Sequence, residues 1–202
     1  MARFFMTGTN IFGGRAVIRG QDAEHIRVLR MRPGEDVVIC DGKGTDYRCR
    51  LVSSGPEEAE AEVLEVVPCR GEPRVEVTVY AGLPKGERAD FLVQKCIEAG
   101  ASGIVFFNCE RCVARPDGRS MAKKLERFAR IAEAAAQQSG RGKIPTVEYE
   151  HSYVEMLNRA IKAEAKLFMY ETGEGRSPLK QAIEAAGAAS QKPKRRWRAS
   201  AA

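Results

Sequence analysis

The chain has no apolar run that approaches the roughly 18 residues needed to cross a lipid bilayer. Its first residues, Met-Ala-Arg-Phe-Phe-Met-Thr-Gly, also lack the apolar segment of a secretory signal. These two absences predict a cytoplasmic protein that has no membrane partner. A length of 202 residues allows one large domain or two small ones.

Cysteine is present, but not in the spacing of a small disulfide-stapled domain. The six cysteines are scattered along the chain: Cys40, Cys49, Cys69, Cys96, Cys109 and Cys112. The last two form one Cys-x-x-Cys motif, yet there is no second motif and no close histidine pair, whereas a structural zinc site needs four ligands. We therefore predict no metal site and favour reduced, mainly structural thiols over a zinc site or a redox pair.

Nucleotide-binding signatures are missing as well. The chain contains neither a Walker sequence nor Gly-x-Gly-x-x-Gly. The first predicted strand of the second half leads instead into Pro84-Lys85-Gly86. No acid/base pair suited to small-molecule chemistry stands out either. These absences disfavour a small-molecule α/β enzyme, the weakest of the three functions considered.

Positive charge is concentrated at the end of the chain. The formal net charge is +6. The last fourteen residues contribute +5 of it and contain no acid; their basic residues are Lys192, Lys194, Arg195, Arg196 and Arg198. The remainder of the chain is close to neutral, so its basic residues matter only where they cluster.

The composition changes near residues 68–73. Before that point, short β-like segments alternate with turn signals, which is typical of a small barrel. The predicted strands are 15–19, 36–40, 47–52 and 59–67, and one helix runs from a cap at Asp22 to about Met31. The sequence therefore predicts a small, β-rich first domain over residues 1–72.

After residue 73, strands alternate with helices, which indicates βαβ units and a mostly parallel sheet. The predicted strands are 75–80, 103–107 and 166–170, the last one being the apolar run Lys-Leu-Phe-Met-Tyr. The predicted helices are 87–99, 121–138, 155–164 and 178–186, with Gly100 and Gly187 as stops. An α/β domain over 73–188 and a basic tail over 189–202 follow from this pattern.

Basic side chains recur on the predicted barrel edge. Arg27 and Arg30 lie three residues apart and share the outer face of the first helix. With Arg3 nearby, they form the positive footprint expected for a phosphate backbone. The alternative is that these arginines form an ordinary solvent-exposed face. The position of His25 near the N-terminus of the helix indicates a packing or capping role for this residue. Lys85 and Arg111 could continue the same surface in the second half.

The segment 133–145 carries the most specific pattern. An alanine-rich helix ends there in polar donors, with Gly140 in the position just past a helix end, where positive φ is usual. Gln137, Gln138 and Arg141 suit an anionic partner. The alternative is an ordinary helix stop with solvated polar residues.

Taken together, these residues resemble a known family. The matching motifs, in order, are Arg3-Phe4-Phe5, His25-Ile26 with Val28-Leu29-Arg30, Lys85-Gly86, Gln94-Lys95, Glu98-x-Gly100, Glu110-Arg111, and Glu133-Ala134 through Gln137-Gln138-Ser139-Gly140-Arg141 to Ile144-Pro145. They are similar to those of the bacterial 16S rRNA (uracil-N3) methyltransferases of the RsmE family. One small departure is Ala99, where the family usually has leucine.

The resemblance implies a fold, a cofactor and partners. The expected fold is α/β: a PUA-like barrel that grips RNA, then a SPOUT-type domain with a knotted S-adenosylmethionine site. The implied partners are 16S rRNA of the small ribosomal subunit and, in a homodimer, a second copy of the chain. RNA contacts are expected from Arg3, His25, Arg27, Arg30, Lys85 and Arg111, substrate-side support from Gln137, Gln138 and Arg141, and cofactor contacts from Glu171, Thr172 and Gly173. No residue is predicted as the proton acceptor.

The largest departure from the family follows Gly187. The family's Gly-Pro-Glu-Gly-Gly loop and Leu-Gly-x-Arg-Ile-Leu-Arg segment, which supply the knot, do not occur in this chain. The interpretation is a truncated or out-of-frame product that is impaired as a catalyst; the alternative is a natural basic tail that binds RNA. A non-catalytic RNA-binding protein is the second functional hypothesis.

Overall fold

The computed structural model describes residues 1–6, 10–110, 112–169 and 179–189. The chain divides into two compact units, Met1–His151 and Ser152–Ala202. The first unit contains two sheets, which are described in turn. Within the described residues, no helix combines the length and the apolar character that crossing a membrane would require.

Six strands form the first sheet. They are β1 (Ala2–Phe5), β2 (Ile11–Phe12), β3 (Arg15–Arg19), β4 (Asp36–Cys40), β5 (Thr45–Ser54) and β6 (Glu58–Pro68). Their order is β1-β4-β5-β6-β3-β2, and only the β1–β4 ladder is parallel. The alternating burial of β3 turns Ala16 and Ile18 inward, where they pack with Phe4, Ile39 and Leu51. The four predicted strands are confirmed, whereas β1 and β2 were not predicted.

One helix, α1 (Gln21–Val28), packs against this sheet through Ala23 and Ile26. Its N-cap is Gly20, not Asp22 as predicted; Asp22 lies in the first turn, where an acid favours the positive end of the helix dipole. The helix also stops earlier than Met31. The Met31 N–H bonds to the Ile26 carbonyl and Arg30 adopts φ 55°, the left-handed position of a Schellman motif.

Three parallel strands form the second sheet, in the order β7 (Thr78–Gly82), β8 (Gly103–Phe107) and β9 (Thr146–Glu150). In the ladders, Gly82 lies opposite Phe107, and Phe107 lies opposite Glu150. The carboxyl ends of all three strands therefore meet at one edge. The central strand β8 is almost wholly buried, which explains its continuous apolar run.

Two helices accompany this sheet: α2 (Glu87–Glu98) and α3 (Gly118–Gln138). Gly100 has φ 104° just beyond α2, which confirms the predicted stop. The start of α3 lies three residues before the predicted one, because the Asp117 side chain accepts a bond from the Ser120 N–H at 2.7 Å. Phe128 of α3 is fully buried against Phe106 of β8, at a ring-centroid distance of 5.2 Å.

The core of the parallel sheet includes residues from the first sheet. Phe5 of β1 and Cys40 of β4 are buried in the same cluster as Leu83, Phe106 and Phe128. The first sheet thus contributes two residues to the apolar core of the second sheet and has a separate core of its own around Phe4, Ile39 and Leu51. The predicted division between residues 72 and 73 remains a prediction.

The predicted third strand was wrong. Lys166–Met169 form no strand, and Leu167, Phe168 and Met169 are 48%, 71% and 76% exposed. The third strand is β9 instead, whose polar Thr-Val-Glu-Tyr-Glu sequence follows Pro145. An apolar run alone does not distinguish a buried strand from an exposed apolar segment. Tyr170 lies outside the described residues.

The second unit contains α4 (Tyr153–Ala160) and α5 (Leu179–Ala189). The first begins two residues before its predicted start, because Ser152 and Glu155 form a capping box. The second continues through Gly187 rather than ending there. An interior glycine costs a helix about 1 kcal/mol relative to alanine and does not by itself end one. The predicted tail over 189–202 lies, apart from Ala189, outside the described residues.

Candidate functional site

The carboxyl edge of the parallel sheet offers an unsatisfied polar group. Asn108 follows β8 and continues the ladder, since its N–H donates to the Glu150 carbonyl at 3.3 Å. Its side-chain Oδ1 is buried and has no hydrogen-bond partner among the described residues. A buried amide oxygen without a donor is costly, so this atom is placed to accept a bond from a ligand. Ligands of open α/β sheets bind at this edge.

The end of α3 forms the polar corner that the sequence predicts. Gly140 has φ 72°, and the Arg141 N–H bonds to the Ala136 carbonyl at 2.9 Å, which completes a Schellman motif. Gln138 is exposed and Gln137 half-buried, and neither side chain makes a hydrogen bond within the described residues. Both amides are therefore available to a partner, which fits the predicted substrate-side role without testing it.

Arg141 has a different position from the two glutamines. Its side chain is 3% exposed. Nε and Nη2 donate to the two carboxylate oxygens of Glu72 at 3.1 and 3.0 Å. Nη1 donates to the carbonyl oxygens of Ile97 and Ala101 at 3.2 and 2.9 Å. These four bonds direct the guanidinium into the protein, so this arrangement does not support a direct contact between Arg141 and a substrate. The substrate-side role of Arg141 remains a prediction.

Glu72 ties the corner to the chain that precedes β7. Besides Arg141, its Oε1 accepts from the backbone N–H groups of Gly142 and Lys143 at 2.8 and 2.9 Å. Burial works to raise the pKa of Glu72, but the bonds from Arg141 and the two amides outweigh it and lower the pKa below its ordinary value of 4.5. No local pattern indicates this role, because Glu72 and Arg141 are 69 residues apart along the chain.

Arg3 extends the same network to the first sheet. Its guanidinium forms a bidentate pair with Asp46, at 3.0 Å from Nη1 to Oδ2 and 2.6 Å from Nη2 to Oδ1. Its Nε donates to the Arg141 carbonyl oxygen at 2.9 Å, and the Cys40 thiol donates to that of Gly142 at 3.0 Å. We call Arg3, Asp46, Glu72 and Arg141 the arginine–carboxylate network. The Arg3 side chain is only 11% exposed, so its burial does not support the predicted RNA contact. That contact remains a prediction.

The other predicted RNA-binding residues are at the surface where they are described. His25, Arg27, Arg30 and Lys85 are all exposed. The His25 ring packs edge-on against Phe4 at 5.8 Å, which fits the predicted packing role. The Arg27 Nη2 atom lies 3.9 Å from Glu24 Oε1, and both side chains are well exposed. Such an ion pair contributes little to stability. Arg111 and the predicted cofactor residues Glu171, Thr172 and Gly173 lie outside the described residues.

The described residues contain no group of three or more histidine, cysteine, aspartate or glutamate side chains arranged to hold a metal ion. All six cysteines lie within the described residues, and all are free thiols. Three features of the described residues can bind a partner. They are the unpaired amide oxygen of Asn108 at the sheet edge, the two side-chain amides at the end of α3, and the exposed basic residues on and just after α1. These groups suit hydrogen bonding and charge pairing with a polar, anionic partner.

The Glu72 carboxylate predicts a specific pH dependence. A group whose pKa is lowered on folding stabilises the fold above its unfolded pKa, and the contribution is lost as pH falls through the folded value. Replacing Glu72 by glutamine should therefore lower the free energy of unfolding at pH 7 by roughly 1–3 kcal/mol. The difference from the parent chain should shrink below pH 4.5. Urea unfolding at neutral and acidic pH measures both effects.

The matched control is Glu65→Gln, because Glu65 pairs with Arg48 at 2.9 Å between half-exposed side chains. This substitution should change stability by less than about 1 kcal/mol at neutral pH. A Glu72→Gln variant as stable as Glu65→Gln at pH 7 would contradict the role of Glu72.

Comparison with known families agrees with this architecture. The profile of the RNA methyltransferase domain family matches residues 71–194, and that of the RNA methyltransferase PUA domain matches residues 18–64. Together they confirm the predicted fold class, in which PUA-like strands are followed by a parallel-sheet methyltransferase domain. The predicted family resemblance is confirmed as well.

Individual relatives point the same way. Ribosomal RNA small subunit methyltransferase E of Bacillus subtilis is 32% identical over 155 residues, covering 76% of this chain and 60% of the relative. The protein of the same name from Mycobacterium tuberculosis is 38% identical over 140 residues, 67% of this chain and 52% of the relative. The chain thus spans only about half to three fifths of these relatives.

A solved structure covers more of the chain. The crystal structure of a ribosomal RNA small subunit methyltransferase E from Neisseria gonorrhoeae, bound to S-adenosyl methionine, superimposes with a TM-score of 0.71 at 29% identity. The match covers 98% of this chain and 91% of that protein.

Proposed function

This chain belongs to the family of RNA methyltransferases with a PUA domain, and on that premise we propose that it methylates N3 of a uridine in 16S rRNA. The methyl donor in this proposal is S-adenosylmethionine. The observation that carries this donor is the match along 98% of the chain to a protein solved with S-adenosyl methionine bound. The target atom, N3 of a uridine, is what the family resemblance implies. An rRNA substrate is consistent with the predicted cytoplasmic location.

The described residues fit such a donor at the carboxyl edge of the parallel sheet. The buried Oδ1 of Asn108 lacks a hydrogen bond within the described part of the chain, and an amino group of the cofactor can donate to it. The residues that the family resemblance predicts for cofactor contact, Glu171, Thr172 and Gly173, lie outside the described residues. When bound, S-adenosylmethionine supplies a methyl group already activated on a sulfonium, so positioning and charge stabilisation are what the protein must add.

The chain's own residues provide that positioning. Arg27 on the exposed face of α1, Arg30 just past the end of that helix and Lys85 before α2 are available to RNA phosphates. The amides of Gln137 and Gln138 suit hydrogen bonding to the uracil edge, and the N3 proton passes to solvent as the methyl group is transferred. The base must leave its stack to be reached, and a rigid arginine–carboxylate network would hold the RNA-gripping sheet in a fixed position while it does so.

The decisive experiment combines donor binding with methyl transfer. The purified chain is titrated with S-adenosylmethionine by calorimetry, then incubated with the labelled donor and small ribosomal subunits that lack uridine N3 methylation. We expect one-site binding and label in 16S rRNA at a single uridine, identified by nuclease digestion and mass spectrometry. RNA binding without donor binding or label would favour the alternative, a non-catalytic RNA-binding protein.

An Asn108→Ala variant tests the donor site within that experiment. Loss of the buried acceptor should weaken donor binding about tenfold, roughly one hydrogen bond's contribution, and leave RNA affinity unchanged. Asn158→Ala on α4, away from the sheet edge in sequence, is the matched control. Equal donor affinity in the Asn108 variant and the parent chain would remove Asn108 from the proposed site.

Arg30 provides a test of the RNA surface. Its φ of 55° is unfavourable for any residue except glycine, asparagine or aspartate. Arg30→Gly should therefore keep or raise stability, by up to about 1 kcal/mol. The same change should weaken RNA binding and reduce the slope of log affinity against log salt by about 1, as one phosphate contact is lost.

Arg30→Lys is the control, because it keeps the charge and the backbone strain. We expect its salt slope to equal that of the parent chain. If Arg30→Gly binds RNA with unchanged affinity and slope, the arginine belongs to a solvated face.

We also propose that the chain forms a homodimer. Val154, Leu157 and Ile161 follow one another at helical spacing along α4 and its C-cap, and they are 64%, 43% and 69% exposed. An apolar stripe of this kind suits a protein partner. Light scattering behind size exclusion should show twice the monomer mass, and Leu157→Glu should return the monomer.

A further inference from the structure

Two thiols lie against each other at the carboxyl end of the parallel sheet. The Sγ atoms of Cys109 and Cys112 are 3.2 Å apart. The Cys112 N–H donates to the Cys109 carbonyl oxygen at 3.0 Å. A disulfide has sulfurs about 2.0 Å apart, so small side-chain rotations suffice to join them. We propose that Cys109 and Cys112 form a dithiol site that small-molecule disulfides, such as glutathione disulfide, reversibly oxidise.

Neighbouring atoms hold the pair together. A Cβ atom on Gly82, the last residue of β7, would lie 3.3 Å from the Sγ of Cys112 and 3.9 Å from that of Cys109. Both sulfurs therefore face the end of β7, where the absence of a side chain leaves them room. The Cys112 Sγ is also 3.8 Å from the carbonyl oxygen of Phe107. Both cysteines are half-buried rather than enclosed, so a small disulfide can reach them.

The other four cysteines have different surroundings. Cys40 and Cys49 are buried, and burial raises the pKa of each thiol to about 11, so that little thiolate is available. Cys69 accepts hydrogen bonds from Arg3 Nη2 at 3.2 Å and from the Gly71 N–H at 3.4 Å. Cys96 is half-buried, and burial raises its pKa. Within the described contacts, the sulfur–sulfur pair belongs to Cys109 and Cys112 alone.

Two exchange steps account for every atom. The thiolate of one cysteine attacks glutathione disulfide, displaces one glutathione thiolate and forms a mixed disulfide. The thiolate of the other cysteine then attacks the sulfur of the first and displaces the second glutathione. The two thiol protons and two electrons pass to glutathione disulfide, which leaves as two glutathione molecules.

The two thiolates fall short of the four ligands that a structural zinc site uses, and the described residues add no third ligand nearby. Disulfide chemistry is therefore the use that the geometry favours. The proposal goes beyond the proposed methyl transfer and does not depend on it, because the modification can be detected in the protein alone.

The test measures thiols by mass. The reduced, full-length chain is equilibrated in equal concentrations of glutathione and glutathione disulfide, quenched with acid, alkylated and digested. We expect the peptide that contains Cys109 and Cys112 to lose two hydrogen atoms and to escape alkylation. The internal disulfide should exceed the mixed disulfide roughly tenfold or more, because the second thiol attacks at high effective concentration. Added dithiol reductant should restore both thiols.

Single variants separate the two steps. Cys112→Ser should accumulate the mixed glutathione disulfide on Cys109, because no second thiol resolves it, whereas Cys96→Ser should form the internal disulfide as the parent chain does. Circular dichroism establishes that the variants are folded. Whether the internal disulfide forms is decided by the measurement on the parent chain, which does not depend on the variants. Two alkylated thiols in the folded parent chain after equilibration, or a persistent mixed disulfide there, would overturn the proposal whether or not the chain transfers methyl groups.

Discussion

Replacing Arg141 by alanine is expected to lower the free energy of unfolding by about 3–5 kcal/mol. The side chain is 3% exposed and makes four hydrogen bonds. Its removal leaves the Glu72 carboxylate without its cation, and it leaves the carbonyl oxygens of Ile97 and Ala101 without their donors. Breaking a buried charge pair on one side is costly because the remaining charge stays desolvated. Equilibrium urea unfolding measures the loss.

Arg141→Lys should recover only part of this stability. A lysine keeps the charge but cannot form the two parallel bonds to Glu72 that the planar guanidinium makes. A double-mutant cycle with Glu72→Ala should give a coupling energy of roughly 1–3 kcal/mol, because the two side chains contact each other directly. Independent effects in that cycle would contradict the network.

The matched control is Arg48→Ala. Arg48 pairs with Glu65 at 2.9 Å, a separation similar to that of the Arg141 pair, but both side chains are 52% exposed. Water solvates each partner after the other is removed, so we expect a change of only about 0–1 kcal/mol. Equal losses for Arg48→Ala and Arg141→Ala would show that burial adds nothing to the Arg141 pair.

The contrast between these arginines shows which part of their surroundings sequence reasoning can predict. A shared outer face for Arg27 and Arg30 was predicted from their spacing, a local property, and both are exposed, although Arg30 lies just past the end of α1. Their RNA contacts remain a prediction. Arg3 and Arg141 carry the same charge, Arg3 in an apolar segment and Arg141 in a polar one. Their positions are set by Asp46 and Glu72, which lie 43 and 69 residues away in the chain. No spacing rule indicates such pairs.

The strands show the same division between local and long-range information. The strand Gly103–Phe107 was predicted because a strand buried on both faces is apolar throughout. The run 166–170 has a similar composition, yet Lys166–Met169 are exposed and irregular. The strand that pairs with β8 is the mixed Thr146–Glu150. Which strands pair in a sheet depends on the rest of the fold. The same is true of the lack of a hydrogen-bond donor at Asn108 Oδ1. Neither property can be predicted from the local sequence pattern.

The close approach of two backbone segments leads to the second large expected effect. A Cβ atom on Gly71 would collide with the backbone carbonyl of Gly140, just past the end of α3. Because the obstacle is backbone and not the end of a flexible side chain, Gly71→Ala must displace the loop that carries Glu72 from the helix end. We expect a loss of about 3 kcal/mol, the upper part of the range for overpacked sites, measured by urea unfolding.

Gly142 approaches the same region from the other side and provides a second probe. Its Cβ would lie 2.5 Å from the Cβ of Cys69 and 3.2 Å from the Cα of Gly44, so Gly142→Ala should also be strongly destabilising. Gly118→Ala is the matched control, because nothing lies within 4 Å of its Cβ at the start of α3. That change should be neutral or stabilise the helix by up to about 1 kcal/mol. Equal stability of the Gly71 and Gly118 variants would mean that the loop and the helix end can separate freely.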